Sequence, residues 1–393
     1  MRNPFYATEL PVTAPFCDRE KELKELESHA VNRADVVLYS PRRYGKTSLV
    51  RRVQSRLTGK GAITIYIDFF GVDSVETAAQ KLAGALYSHY AREMSLLTKV
   101  SRVLSSWRPV ITVRPDPDPG FIITAEPLVR SRGTDLLEET LSQFGKFTEG
   151  HEEGFHVVFD EFQEITQLPD SLKIEGAMRS HIQGHSNVSY FFVGSRRRIL
   201  MDIFNLSKRP FYKSAINYEL GPLPKAEAVQ FVMERFRTDG KTCPEDIAAR
   251  IYDLVGGYPY YIQKIPYAIR ELTEGGTITR EDLAKGIEEV HGEQKPVYES
   301  YLQTIAPMQI RLLTAIAKEP TASPYSTEYM TRHNLGSIGG VQGALGKLTG
   351  LDYIEKDAQG TFRIVDPLFS LWLNRLSGVV VSDVNGQGTD RDG

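Results

Sequence analysis

The 393-residue sequence is poor in cysteine and contains no long apolar run. Its two cysteines, Cys17 and Cys243, lie far apart and outside any CxxC pattern, so we expect a reducing compartment and no thiolate zinc site. No apolar run approaches the roughly 20 residues of a membrane span, and the N-terminus lacks the apolar core of a signal peptide. We therefore expect a cytoplasmic protein without a membrane partner.

The sequence also carries little net charge and lacks several catalytic patterns. Its formal charge is −3, so nucleic acid would have to bind a local basic patch. It contains no GxSxG motif and no paired carboxylates of the glycosidase type. His181 and His185 stand four residues apart, but no HExxH pattern surrounds them. These absences argue against serine hydrolases, glycosidases and zinc proteases.

A phosphate-binding pattern lies between Val36 and Val50. An apolar run stops at Ser40, and the GKTS sequence then opens an amphipathic stretch, which predicts a strand, a loop and a helix. Loop N–H groups, a lysine and a hydroxyl for Mg²⁺ are what a phosphate chain requires. Ser40 stands where the P-loop pattern has its first glycine, and a basic surface turn is the alternative. The nucleotide-binding residues that we predict here are Ser40, Pro41, Arg42, Arg43, Tyr44, Gly45, Lys46, Thr47 and Ser48.

Two further apolar runs end in polar residues that suit the chemistry of nucleotide hydrolysis. The stretch 155–163, FHVVFDEFQ, places Asp160 where it can hold Mg²⁺ together with Thr47, and Glu161 where it can polarise the attacking water. A solvated strand end is the alternative for this pair. The stretch 189–198 ends its strand before Ser195, which can hydrogen-bond the γ-phosphate or its water. We therefore predict Glu161 and Ser195 as catalytic residues.

The order of patterns predicts several domains in an α/β protein. Helix signals include an N-cap at Asp18 and another at Thr279 to Asp282. Turn-rich RPDPDPG joins two β-branched runs and predicts a hairpin. We predict a P-loop domain at 1–220 with a β-hairpin insertion near 107–127, a helical segment at 221–300, a winged helix at 301–376 and a loose tail at 377–393.

The winged helix gives limited support to DNA binding. From Met308 to Leu376, seven Lys and Arg residues oppose six Asp and Glu residues, which leaves a net charge of about one. The helix expected to read DNA offers only Gln342 and Lys347 among glycines and apolar residues. Since phosphate neutralisation normally uses several basic side chains, contact with a protein is at least as well supported.

With these residues in view, the chain resembles the archaeal-type ATPase family, a branch of the STAND and AAA+ P-loop ATPases that also occurs in bacteria. The phrases PRRYGKTSL, DEFQ and DPLFSLWL occur in that order, and the resemblance begins at NPF near the N-terminus. It implies an ATP-binding parallel sheet of the ASCE, AAA+-like type, a helical lid and a C-terminal winged helix. It also implies that Asp160 serves Mg²⁺, Glu161 serves catalysis, Ser195 senses phosphate and Pro259 lies near the adenine. The NPF and DRE segments would flank the base.

Two positions depart from the family pattern. Ser40 replaces the first P-loop glycine. Lys213 stands where the family usually carries an arginine, and a lysine cannot make the same bidentate phosphate contact. The lysine at position 213 therefore argues against hydrolysis that is driven by assembly of several copies of the chain.

These observations predict an Mg²⁺-dependent ATP-binding protein and ATPase that acts as a nucleotide-driven switch. Two alternatives stay open. One is a nucleotide-binding scaffold that recruits a protein partner without hydrolysis, and the other is a DNA-acting ATPase that resembles replication-initiator or transposition-helper proteins. The preference for ATP over GTP follows from the resemblance. A protein partner, DNA and further copies of the same chain are the partner classes that we consider.

Overall fold

The computed structural model describes residues 3–8, 10–90, 104–114, 120–128, 133–357 and 359–376. The predicted tail at 377–393 lies outside these residues. The chain divides into two compact units. The sheet unit comprises Pro11–Ala14 and Arg19–Gly221, and the helical unit comprises Met1–Leu10, Pro15–Asp18 and Pro222–Gly393. The finer division into P-loop, lid and winged-helix domains stays a prediction.

A five-stranded parallel sheet organises the sheet unit. Its strand order is β2-β5-β6-β1-β7, and β3 and β4 form a separate antiparallel pair. This arrangement confirms the predicted α/β class, and β3 and β4 lie where the sequence predicts a hairpin. The strands are β1 Val36–Tyr39, β2 Ile63–Asp68, β3 Trp107–Arg114, β4 Gly120–Pro127, β5 Phe155–Asp160, β6 Val188–Gly194 and β7 Ile216–Glu219.

The register of the sheet brings the ends of the strands that lead into the predicted site residues to one edge. Tyr39 pairs with Gly194, and Asp68 pairs with Asp160. Strand β6 lies between β1, which leads into the predicted phosphate loop, and β5, which ends in Asp160. Ligands of parallel α/β sheets bind outside the carboxyl ends of the strands. The sheet therefore brings the two predicted motifs to a common ligand-binding edge.

Helices connect the strands of the sheet unit, and the residues of β1, β5 and β6 are all buried. Helix α1 begins at Glu20, but its N-cap is Arg19, with a positive φ of 78° and no side-chain cap. The predicted cap at Asp18 is therefore wrong. The helices are α1 Glu20–Val31, α2 Lys46–Thr58, α3 Val75–Tyr90, α4 Thr134–Glu149, α5 Ser171–Ile182 and α6 Arg197–Asn205.

An aromatic cluster supports the edge of the sheet where the predicted catalytic residues lie. Phe162, which directly follows Glu161, has its ring centroid 4.7 Å from that of Phe192 on β6. Phe204 and Phe211 extend the cluster, with their centroids 5.2 Å apart. All four side chains are buried. Aromatic packing of this kind fixes the backbone after Asp160, because any shift there would open a cavity in the core.

The helical unit begins with four helices and continues into a winged helix. The capping box predicted at Thr279 and Asp282 is present. Among the described residues, no helix is long and apolar enough to cross a membrane. The elements are α7 Lys225–Thr238, α8 Glu245–Val255, α9 Pro259–Leu272, α10 Arg280–Gln303, α11 Pro307–Lys318, α12 Thr327–Arg332, α13 Ile338–Gly350, β8 Ile354–Lys356, β9 Phe362–Ile364 and α14 Pro367–Leu376.

A buried tyrosine links α9 to the DPLFSLWL phrase, which begins at Asp366. Tyr261 of the GGYPYYIQ sequence donates its hydroxyl to the carboxylate of Asp366 at 2.8 and 2.9 Å. Asp366 also accepts hydrogen bonds from the backbone N–H groups of Leu368 and Phe369, and so caps α14. Burial, together with the carboxylate of Asp366, raises the pKa of Tyr261, so the hydroxyl keeps its proton and remains a donor.

Helices α9 and α10 approach closely at Gly286, and this contact gives a first prediction. A Cβ added to Gly286 would overlap Ile269 Cγ1 and lie 3.2 Å from Ile269 N. We expect Gly286→Ala to lower the free energy of unfolding by about 1–2 kcal/mol, because overpacking outweighs the roughly 1 kcal/mol helix preference of alanine. The urea unfolding midpoint measures the change.

Gly292 in the same helix is the matched control. It is exposed, and a Cβ there would meet nothing within 4 Å. We expect Gly292→Ala to leave stability unchanged or raise it by up to about 1 kcal/mol. Equal midpoints for the two variants would contradict the close approach of α9 and α10 at Gly286.

Candidate functional site

The predicted phosphate loop joins β1 to α2, with Lys46 as the first residue of the helix. The Lys46 side chain is buried, and Nζ donates to Ser40 O at 2.9 Å, Ser40 Oγ at 3.2 Å and Pro41 O at 2.9 Å. Ser40, which replaces the P-loop glycine, is fully buried and contributes two of these three oxygens. The loop therefore folds around the ammonium group at the N-terminus of α2, where the helix dipole favours anions.

Asp160 lies beside this loop and is almost fully buried. Its Oδ2 accepts a hydrogen bond from Thr47 Oγ1 at 2.8 Å and another from the hydroxyl of Tyr66 on β2. Its Oδ1 accepts the backbone N–H of Glu161 at 2.9 Å. Burial, followed by the neighbouring Asp160 carboxylate, raises the pKa of Tyr66, so the phenol stays protonated and donates. The structure thus brings the two residues predicted for the metal together.

The two residues predicted for catalysis also meet. Ser195 Oγ lies 3.0 Å from Glu161 Oε2 and 3.2 Å from Oε1. Gln163 donates its Nε2 to the same Oε2. Glu161 has a left-handed backbone, with φ 49° and ψ 40°, which a non-glycine residue adopts only where its surroundings enforce it. The carboxylate is therefore held in place by two neighbouring side chains.

The remaining loop residues lie at different depths. Arg42 and Arg43 are exposed, whereas Pro41, Tyr44 and Gly45 are half-buried and Ser48 is buried. Pro259 belongs to the helical unit, where it begins α9 after the Gly256-Gly257 turn. Its predicted position near the adenine stays a prediction.

The N-terminal NPF segment is anchored within the helical unit. Asn3 Nδ2 donates to Tyr267 O at 3.1 Å, and the rings of Phe5 and Phe236 lie 4.8 Å apart. Arg19 of the DRE segment belongs to the sheet unit and donates to Gly221 O at 2.6 Å. The NPF segment thus belongs to the helical unit, whereas the boundary between the two units falls inside the DRE segment, after Asp18. The predicted places of both segments beside the base stay predictions.

Lys213, which departs from the family pattern, is preceded by Arg209 four residues earlier in the sequence. Lys213 has a φ of 52°, and its Nζ lies 5.3 Å from the ring centroid of Tyr212. Arg209 instead forms an ion pair with Glu175, which is fully buried. Burial raises the pKa of Glu175 to about 7, although Arg209 acts in the opposite direction. Arg209 therefore forms a structural ion pair with Glu175.

Sequence reasoning missed two residues that contact the site. Tyr66 lies inside β2, which carries no predicted site residue, and Gln163 stands in the DEFQ phrase without a predicted role. A tyrosine that contacts a carboxylate on a neighbouring strand leaves no spacing signal. Gln163 lies only two residues beyond Glu161, and this closeness in the sequence was the available signal.

Comparison with known families decides the broader identity. Residues 16–265, more than half of the chain, match the family described as an ATPase domain predominantly from Archaea. The chain belongs to this family. Residues 296–375 of this archaeal-type ATPase also match the family described as "Probable winged helix domain". Both the predicted family and the predicted winged helix are confirmed.

Solved structures show the same fold for this archaeal-type ATPase. A Walker-type ATPase of Pyrococcus abyssi has a TM-score of 0.64 and 18% identity, over 91% of this chain and 96% of that chain. The Aeropyrum pernix ORC2 protein in ADPNP-ADP complexes has a TM-score of 0.57 and 15% identity, over 96% and 99%. The Aeropyrum pernix ORC1 protein in complex with DNA has a TM-score of 0.50 and 15% identity, over 96% and 98%. No curated protein matches the sequence.

Proposed function

We propose that the protein binds ATP with Mg²⁺ at the Ser40–Ser48 loop, hydrolyses it, and acts as a nucleotide-driven switch. One arrangement carries the proposal. The P-loop hydroxyl of Thr47 contacts Asp160, and the next residue, Glu161, contacts Ser195 at the end of the intervening strand. An ATPase of the P-loop class needs a metal ligand, a group that orients water and a polar group near the γ-phosphate at the same sheet edge.

Lys46 and the loop supply phosphate binding in this proposal. Lys46 Nζ donates hydrogen bonds to neutral oxygens of Ser40 and Pro41. A triphosphate would offer anionic oxygens to the same ammonium, and the attraction between opposite charges adds to the hydrogen bonds. The exchange of partners therefore favours a bound nucleotide.

The donor set at Thr47 and Asp160 fits a magnesium ion. One hydroxyl and one carboxylate, 2.8 Å apart, are hard oxygen ligands, and Mg²⁺ in nucleotide sites is commonly held by one or two such groups plus substrate phosphates. A bound Mg²⁺ would neutralise charge on the β- and γ-phosphates. Tyr66 would then keep the Asp160 carboxylate in orientation through its hydroxyl.

The Tyr66 hydroxyl gives a second prediction. We expect Tyr66→Phe to raise the Mg²⁺ concentration for half-maximal phosphate release by about tenfold, because a partner that orients a metal ligand is lost. The ring would remain, and with it the contact to Arg51, whose guanidinium carbon lies 3.4 Å from the ring centroid. A Mg²⁺ titration at saturating ATP measures the effect.

Tyr218→Phe is the matched control for this titration. Tyr218 is also a strand tyrosine that donates to a carboxylate, Glu25 Oε2, at 2.6 Å, but that carboxylate lies on α1. We expect its Mg²⁺ requirement to equal that of the wild type. An unchanged requirement in Tyr66→Phe as well would remove Tyr66 from the proposed metal site.

A DNA-acting ATPase is the second candidate function, and the winged helix favours it. The ORC1 structure contains DNA, although at 15% identity the likeness establishes the fold alone. Ion pairs weaken the case, since Arg332 pairs with Glu319 and Arg363 with Glu355. These carboxylates reduce the charge available to phosphates, so DNA binding would show a shallow dependence on salt.

The proposed function is tested by steady-state phosphate release from ATP by the full chain. We expect turnover with Mg²⁺ and none with EDTA. Turnover that is equal in both conditions would contradict the proposed site. The scaffold alternative instead predicts ATP binding with no phosphate release, so a direct binding measurement belongs in the same experiment.

A further inference from the structure

We propose that Gln163 is the positioning residue of Glu161, and that Gly194 is a glycine because the Gln163 carboxamide occupies the space of its Cβ. This inference rests on the proposed ATPase activity. Gln163 is 1% exposed and lies in the short 3-10 helix Phe162–Gln167, immediately after the strand that carries Asp160.

The first observation is the hydrogen bond from Gln163 Nε2 to Glu161 Oε2. Ser195 is the other side chain on this carboxylate, but Ser195 is also the group proposed to contact the γ-phosphate. A single hydroxyl proton cannot be donated to both partners at once. When Ser195 donates to phosphate, Gln163 is the residue that keeps the Glu161 carboxylate in orientation.

The second observation is the confinement of the carboxamide. A Cβ added to Gly194 would overlap Gln163 Oε1 and lie 3.2 Å from Cδ. Gly194 is the last residue of β6 and directly precedes Ser195. The backbone that presents Ser195 therefore also forms the wall against which Gln163 rests, so the two side chains that hold Glu161 share one support.

The third observation is an unsatisfied atom. Gln163 Oε1 is buried and has no hydrogen-bond partner within the described parts of the chain. A buried unpaired carbonyl destabilises the folded state, so stability alone would favour an apolar side chain at this position. The amide is explained if its N–H group is required at Glu161 Oε2.

A purely structural role for Gln163 predicts a different outcome from positioning. If Gln163 only filled space, an apolar side chain of the same length would preserve turnover, because methionine has a similar shape. If Gln163 orients Glu161, methionine leaves ATP affinity intact and lowers the rate of the chemical step. A misplacement of about 1 Å in a reacting group can cost on the order of 100-fold in rate.

The experiment measures kcat and the Kd for ATP in Gln163→Met, with Gln167→Met as the control. Gln167 ends the same 3-10 helix and is exposed, so its substitution is expected to change neither value. We expect Gln163→Met to lower kcat by about 10- to 100-fold while the Kd for ATP changes less than about threefold. A wild-type kcat in Gln163→Met would overturn the inference.

A second variant tests the same contact from the opposite side. Gly194→Ala leaves Gln163 in the sequence but displaces its carboxamide. We expect a similar loss of kcat, and almost no further loss when Gly194→Ala is added to Gln163→Ala, because the two substitutions remove one interaction. Additive losses would overturn the inference. This variant decides the matter even if Gln163→Met is unfolded.

Failure of the inference and failure of the proposed function give different results. If the wild-type chain releases no phosphate, the ATPase proposal fails before any variant is compared. If the wild type turns over and Glu161→Gln does not, the site is established. A fully active Gln163→Met would then reject only the positioning role.

Discussion

Glu161→Gln is expected to lower the rate of phosphate release by about 100- to 1,000-fold while leaving ATP bound. The amide keeps the shape of the side chain but cannot accept a proton or carry negative charge toward the attacking water. The structure indicates that the substitution is locally tolerated. An amide oxygen at the position of Oε2 would still accept from Ser195 and Gln163, with the amide nitrogen at the position of Oε1. Single-turnover assays and nucleotide binding, measured on the same preparation, separate chemistry from affinity.

Glu152→Gln is the control for this loss. Glu152 is exposed and lies just before β5, so it has the same charge on the same segment of chain. We expect wild-type kinetics from it. Equal turnover in Glu161→Gln and the wild type would remove Glu161 from catalysis.

Lys46→Ala is expected to weaken ATP binding by about 100-fold or more. Lys46 is buried in the phosphate loop, and its ammonium donates to oxygens of Ser40 and Pro41. Loss of a charged phosphate partner of this kind corresponds to about 2.7 kcal/mol at 100-fold. Isothermal titration with a non-hydrolysable ATP analogue measures the affinity without interference from turnover.

Lys60→Ala is the matched control for the loop lysine. Lys60 lies just beyond the end of α2, is largely exposed and pairs with Glu27 at 2.5 Å. Surface ion pairs contribute little, so we expect unchanged ATP affinity and stability. Wild-type affinity in Lys46→Ala would show that the Ser40–Ser48 loop is not the nucleotide site.

Much of the sheet unit could be predicted because its signals are local. Apolar runs that end in Ser40, Asp160 and Ser195 mark three strands, and parallel strands of one sheet bring their carboxyl ends to one edge. The contacts of Thr47 with Asp160 and of Ser195 with Glu161 follow from that rule. Their roles in hydrolysis are still predictions, which the substitutions above test.

The parts that escaped prediction depend on distant partners or on backbone geometry. The Tyr66 contact to Asp160 requires the pairing of β2 with β5, which the sequence does not state. The predicted N-cap of α1 at Asp18 is wrong because Asp18 and Arg19 both have a positive φ. Helix α1 therefore begins without a side-chain cap. Arg209 contacts Glu175, from which it is separated by 34 positions in the sequence. No periodicity encodes these contacts.

The most direct test of the account is the fate of ATP bound to the wild-type chain in a single turnover. The full chain, in excess over radiolabelled ATP and with Mg²⁺, is quenched with acid over time and the bound nucleotide is analysed. We predict that bound ATP is converted to ADP and phosphate, and that this conversion is abolished in Glu161→Gln. Recovery of intact ATP from the wild-type protein throughout the time course would contradict the account and identify a nucleotide-binding scaffold.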